Sequence, residues 1–178
     1  EKALTEEALT ELREDFEDAL TNGVKSDDAV SFRRAGREII RAGVGEFREL
    51  SGSLYSPLES ERLHRLRIAA KRLRYAAELF SVCWEEGALA PFAKEIARMQ
   101  GSLGQLHDSD VWMEELSGHL GRAEQEDAAL PEMRRAAFWL LDYFVRERTR
   151  HFQHALDRWR EWEETGFLSR LSDSMNAD

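Results

Sequence analysis

Residues 63–80 read Leu63-His64-Arg65-Leu66-Arg67-Ile68-Ala69-Ala70-Lys71-Arg72-Leu73-Arg74-Tyr75-Ala76-Ala77-Glu78-Leu79-Phe80. Two stripes of helical spacing are superimposed here. Leu63, Leu66, Ala70, Leu73, Ala77 and Phe80 recur at steps of three and four, the pattern of a helix packing along one seam. His64, Arg67, Lys71, Arg74 and Glu78 follow the same steps and form a second stripe beside the first, while Arg65 and Arg72 point elsewhere. Like charges three or four residues apart repel by a few tenths of a kcal/mol per pair. A row of cations headed by a histidine therefore needs something to offset it: an extended polyanion, or acidic side chains from facing helices. A solvated face with local ion pairs is the plain alternative.

The rest of the chain reads in the same way. Ser56-Pro57-Leu58-Glu59 places a serine at an N-cap, a proline at the first helical position and a glutamate to close a capping box, so this helix is predicted over about 57–82. Upstream, Ala8, Leu9, Leu12, Phe16 and Leu20 predict a helix over 5–21, stopped by Asn22-Gly23. A second helix is expected over Asp28–Leu50, with Ala35, Ile39, Ile40 and Phe47 on its apolar face. Its glycines Gly36, Gly43 and Gly45 call for tertiary support. A further helix is expected from about Gly87–Pro91 to Leu116, ended by Gly118 and Gly121. A long amphipathic stretch is expected from Pro131 to Glu164, followed by a short turn over Phe167–Leu171. No alternating β-branched run suggests a strand. The expected fold class is all-α, an antiparallel bundle of long helices.

With 178 residues the chain is long enough for one domain with its own core. Its 42% hydrophobic content is too high for disorder, and its single cysteine, Cys83, excludes a disulfide framework and fits a reducing compartment, hence a cytoplasmic location. No apolar run reaches the ~20 residues of a membrane span, and no membrane partner is expected. No signal peptide is visible, and a start at Glu1-Lys2-Ala3 reads as a chain without its natural beginning. A net charge of −10 argues against a nucleic-acid partner. The distribution says more: residues 1–30 carry 3 basic and 10 acidic side chains, residues 31–75 carry 11 and 5, and residues 76–178 carry 11 and 20. One cationic segment lies inside an anionic protein, the mark of a localised anion site or an interface between lobes. Residues 1–30 are expected to be an acidic helix and linker, 31–171 the domain, and 172–178 a tail.

The quoted stretch resembles the signature helix of the CHAD family, the conserved-histidine α-helical domains, whose pattern is Leu-His-x-x-Arg-Ile-x-x-Lys-Arg-Leu-Arg-Tyr-x-x-Glu-x-Phe. Every position matches from Leu63 to Phe80. Met99-Gln100-Gly101-Ser102-Leu103-Gly104-Gln105-Leu106-His107-Asp108 resembles the second block of the family, and Trp159 and Phe167 fit its end. The resemblance covers roughly residues 31–171. It implies an all-helical fold and binding of inorganic polyphosphate in a basic groove, with association to polyphosphate granules. Such domains are usually built of two pseudo-symmetric bundles with a His-x-x-Arg helix in each. Only one such helix is present here, so the chain reads either as a half-length member or as one that lacks a segment; if it is a true half, a homodimer would rebuild the two-lobed channel.

The residues expected to hold polyphosphate are His64, Arg67, Lys71 and Arg74, then Arg33, Arg37, Arg41 and Arg148. Tyr75 either donates its hydroxyl to phosphate or packs with its tip wet. Arg33, Arg37, Arg41 and Arg48 form a basic row on the preceding helix, read as the other wall of the groove. Arg148 falls within the apolar stripe Leu141, Phe144, Val145, Phe152, Ala155 and Trp159. A buried unpaired charge is costly, so it either pairs with a carboxylate or lines a polar cavity. Arg134, Arg146 and Arg150 read as surface residues. Glu78 and Asp108 are expected to orient arginines, and Gly104 to serve tight helix packing. Protonated His64 would strengthen anion binding at mildly acidic pH. His151 and His154 stand at i, i+3, but without further ligands in a recognised pattern neither a metal nor another cofactor is expected. No activated nucleophile and no acidic triplet for Mg²⁺ is evident, so the expected function is non-catalytic binding. Two rivals remain: a structural or oligomerising module whose basic stripe pairs with acidic helices such as residues 1–21, and a metal-dependent phosphohydrolase.

Overall fold

The computed structural model describes residues 26–85, 87–125 and 131–176, and all regular structure in these is helical. The elements are α1 (Ser26–Leu50), a 3₁₀ turn (Ser51–Tyr55), α2 (Ser60–Leu79), a second 3₁₀ turn (Phe80–Cys83), α3 (Ala90–Gln125), α4 (Pro131–Thr165) and α5 (Phe167–Ser174). The helix expected over 5–21 lies outside the described residues.

All six positions of the apolar seam of α2 are buried, together with Ala69 and Ala76. This places α2 in the middle of the molecule, between α1 and α3. Two glycines of α1 set the spacing on one side. A β-carbon on Gly36 would stand 2.7 Å from the Phe80 ring and 2.9 Å from its Cβ, and one on Gly43 would stand 3.2 Å from Leu73 Cδ1. The pairing of 36 with 80 and 43 with 73 also shows that α1 and α2 run antiparallel. Ile40, Val44, Phe47 and Leu50 complete the buried face of α1, whereas Ile39, expected on that face, is half exposed. Its place on the helix falls beside the α2 contact rather than within it.

From the other side, α3 contributes Ile96, Met99, Leu103 and Leu106, and α4 closes the core with Ala155, Trp159 and Trp162. Phe47 packs against both tryptophans, with ring centroids 5.8 and 5.6 Å apart. Trp162 stacks on Phe167 at 4.3 Å. The left-handed Gly166, φ +62°, stops α4 and lets α5 fold back. This last helix continues to Ser174 and Met175 is fully buried, so packed structure extends past Leu171.

Two boundaries differ from the sequence expectation. The Ser56-Pro57 segment forms a turn, with Glu59 N–H donating to Ser56 O at 3.1 Å, and α2 starts only at Ser60 without a side-chain cap. The Gly118 and Gly121 positions do not end α3, which runs on to Gln125. Glycine in a helix costs about 1 kcal/mol, which a long helix with tertiary support tolerates. At 36 residues α3 is about 54 Å long, far longer than the ~30 Å of α2. The distal parts of α3 and α4 therefore project past the start of α2 as a two-helix arm.

The glycines of the site helices sort by what surrounds them. Gly36→Ala is expected to destabilise the fold by about 1–3 kcal/mol, because a Phe80 Cβ cannot yield as a flexible chain end does. A methyl group on Gly104 meets no neighbouring atom within 4 Å, so Gly104→Ala should stabilise by roughly 0.5–1 kcal/mol. Urea unfolding of the two variants checks this; a stabilised Gly36→Ala would contradict the close approach.

Candidate functional site

The cationic stripe of α2 lies on the edge of the helix turned toward α3. His64 fixes the register, since its Nδ1 lies 3.2 Å from Nδ1 of His107 on α3. Counting down the antiparallel pair from there brings Arg67 level with Gly104, Lys71 with Gln100 and Arg74 with Ala97. Nothing stands within 4 Å of a β-carbon placed on Gly104, so the surface beside Arg67 is open there. Gly104 thus does not serve tight packing, contrary to the expectation from its spacing.

The row is held by packing more than by counter-charges. Arg74 is 24% exposed, its Nε lies 3.6 Å from Glu78 Oε1, and its guanidinium sits 4.6 Å from the centroid of the Tyr75 ring. Lys71 Nζ lies 5.8 Å from the same ring. Tyr75 therefore serves as an aromatic platform for two cations, with its side chain half exposed. The Nε groups of Arg67 and Arg74 and Oε1 of Gln100 are buried without a hydrogen-bond partner. Among the described residues no carboxylate lies within ion-pair distance of Arg67 or Lys71, although Arg34, Arg62, Arg72, Arg146, Arg148, Arg150, Arg158 and Arg160 each have one. Arg37, Arg41, Arg48 and Arg65 also lack a carboxylate among the described residues, so what marks Arg67 and Lys71 is their place with Arg74 in one line along the edge of α2 that faces α3.

The basic row of α1 does not form the opposite wall. Gly36 and Gly43 turn one side of α1 to α2, while Arg41 and Arg48 lie on the exposed side and Arg33 and Arg37 flank the contact. Arg41 donates to Asn176 Oδ1 at 2.6 Å and Arg48 to Ser169 Oγ at 2.9 Å, both reaching the C-terminal end of the chain. Arg33 lies 5.9 Å from the Trp84 ring, and Arg37 Nε is buried. The wall that faces the α2 row is α3, and the α1 row braces α5.

Arg148 takes the first of its two expected roles. It is 13% exposed, with Nε 2.5 Å from Asp110 Oδ1 on α3 and Nη2 2.7 Å from Pro57 O, and it ties the base of the arm to the turn that launches α2. The carboxylate is Asp110, which sequence reasoning missed. Asp108, expected to orient an arginine, is exposed and has no ion pair among the described residues. Glu78 does face Arg74. His107, Gln100 and the open surface at Gly104 were the other omissions. The signal for them was present: all three lie in the second block, at steps of three and four on one side of α3.

His151 and His154 pack edge to face at 5.9 Å, with Glu147 Oε2 3.6 Å from His151 Nε2. Among the described residues no three His, Cys, Asp or Glu side chains converge as a metal cage. No described helix is long and apolar enough to cross a membrane.

Burial, then the neighbouring His107 and Arg67, push the His64 pKa below its ordinary value, with Glu61 opposing. The imidazole is therefore neutral at neutral pH, and the acid-strengthened binding expected from the sequence is displaced to lower pH. The unfolded chain takes up this proton first, near pH 6.5, so the stability associated with neutral His64 is intact above that pH and is lost as pH falls below it. His64→Asn should flatten the decline in urea midpoint on the acid side of pH 6.5. An unchanged slope would show that the histidine pair is not the titrating element. Arg148→Met strands Asp110 and should cost about 3 kcal/mol in the same assay, a loss reduced in the double variant with Asp110→Leu.

The CHAD domain family model matches residues 1–117, a stretch that contains α1, α2 and most of α3 and ends before α4. No curated protein and no solved structure matches the chain. The match covers about two thirds of the sequence and includes α2 and most of α3, and by it the chain belongs to the CHAD domain family.

Proposed function

We propose that this chain binds inorganic polyphosphate, without turning it over, along the α2 row and against α3. The observation that carries the reading is the pair Arg67 and Lys71, cations that the fold holds in a line without a carboxylate in a strongly acidic protein. Family membership supports it, because the matched residues include α2 and most of α3.

The row from Arg67 to Arg74 advances about 10 Å along the helix, so several units of one linear polyanion can lie against it at once. Each arginine fork donates charge-assisted hydrogen bonds to phosphoryl oxygens, and Lys71 acts as a compact charge. Because the ligand repeats, a phosphoryl unit that leaves the row is replaced by its neighbour on the same polymer, and affinity rises with chain length. Tyr75 holds Lys71 and Arg74 through its ring face, which keeps two mutually repelling cations on one side of the helix. Gln100, level with Lys71, adds a neutral amide to the wall. The non-catalytic part of the reading rests on what surrounds the row. Glu78 is turned to Arg74, Asp108 stands apart, and burial pushes the Cys83 thiol up, away from the thiolate a nucleophile needs. The biological role that fits is granule targeting or regulation of a partner. The rival pairing with residues 1–21 lies outside the described residues.

Titration with long-chain polyphosphate at two salt concentrations tests the reading. The native chain should bind with steep salt dependence, and Arg67→Ala/Lys71→Ala/Arg74→Ala should weaken binding about a hundredfold or more. Arg41→Ala/Arg48→Ala should mainly lower stability. Equal losses from both sets would point to bulk charge instead of a site. Release of phosphate with Mg²⁺ present would replace binding by hydrolysis.

A further inference from the structure

One residue beside the cationic row carries a cost that the fold does not offset. Gln100 Oε1 is buried and has no hydrogen-bond partner. A buried acceptor left in this state is less favourable than an apolar group of the same shape, and such a group calls for an explanation. The place of Gln100 supplies one. It stands two helical turns from His107 on α3, and Lys71 stands two turns from His64 on α2, so each pair keeps nearly the same angular position on its helix. His64 and His107 meet, Nδ1 to Nδ1, at 3.2 Å. Gln100 therefore lies across from Lys71 in the way that His107 lies across from His64.

The two ends of a carboxamide are opposite in kind, an acceptor oxygen and a donor NH2. Gln100 is only partly buried and its oxygen is the buried end, so the end at the surface is the NH2. It brings N–H donors without charge to the α3 side of an exposed lysine. Charge and donor geometry select ligands differently. Arg67, Lys71 and Arg74 attract any polyanion, largely through the counterions it releases. An uncharged donor contributes only where an acceptor oxygen stands in line with it. Each phosphorus of a polyphosphate is tetrahedral, and its two non-bridging oxygens diverge, so one unit reaches both walls at once. The oxygens of a carboxylate lie in one plane, and both turn to the cation that holds them.

We infer that Gln100 is a specificity-determining residue of the α2 row. Its amide donates to the second oxygen of a phosphoryl unit held by Lys71, and it thereby separates a phosphate polymer from a carboxylate polymer of similar charge. The inference rests on the polyphosphate reading above.

Gln100→Met keeps the length of the side chain and removes the amide. Long-chain polyphosphate and polyglutamate are each titrated into the native chain and the variant over a range of salt, with urea unfolding in parallel. Gln100→Met should keep or raise the urea midpoint and lower polyphosphate affinity about tenfold. Polyglutamate affinity should stay within about twofold, and the slope of log affinity against log salt should not change. Lys71→Met, by contrast, should weaken both polymers and reduce that slope by about one. Unchanged polyphosphate affinity in Gln100→Met, or equal losses for the two polymers, overturns the inference and leaves polyphosphate binding standing. A lowered urea midpoint overturns it too, since the amide would then be supporting the fold. Absence of polyphosphate binding by the native chain overturns both readings together.

Discussion

Everything in this fold is arranged around the circumference of α2. Its buried side is made of leucines and four alanines, and α1 meets it with Gly36 and Gly43, so neighbours on two sides come close. The stripe Arg67, Lys71 and Arg74 stands at the edge of this buried side. There the Nε groups of Arg67 and Arg74 are covered, while Lys71 stands exposed. The row Arg67, Lys71 and Arg74 is thus a consequence of the packing. Substituting larger residues into the alanine seam would move the row as well as weaken the core.

Electrostatics follows from the same constraint. Several arginines meet carboxylates one turn away or on a neighbouring helix, and the exposed ones among these pairs contribute the few tenths of a kcal/mol typical of such pairs. Arg67 and Lys71 face α3 where it offers glycine, glutamine and alanine. Opposite the cations there is polarity without charge, at the place where a carboxylate would neutralise the row.

How much of this was legible in the sequence differs by feature. The seam of α2 was read residue for residue, because 3–4 spacing of leucine and alanine has one geometric meaning. The row beside it was read equally well, since neighbours along one helix need no tertiary information. Facing elements were harder. Arg33, Arg37, Arg41 and Arg48 were read as the wall facing the α2 row, yet Arg41 and Arg48 reach the C-terminal end of the chain and Arg33 lies at Trp84; a single helix does not say which side its neighbour takes. Arg148 was marked as anomalous by its place in an apolar stripe, but its partner lay 38 residues away. The end of α3 was misread because glycine weighs against a helix locally, and the tertiary support that offsets it is not a local quantity.

The His64–His107 pair has one more consequence. Two imidazoles whose Nδ1 atoms stand 3.2 Å apart share a single proton, so one ring donates from Nδ1 and the other accepts there. The donor ring then carries a bare Nε2 and the acceptor ring an Nε2–H. With both rings in the neutral form, the pair presents one lone pair and one N–H. Exchange of the tautomers reverses which ring offers which. The head of the cationic row therefore has a polarity that inverts without any change in net charge and without moving a helix.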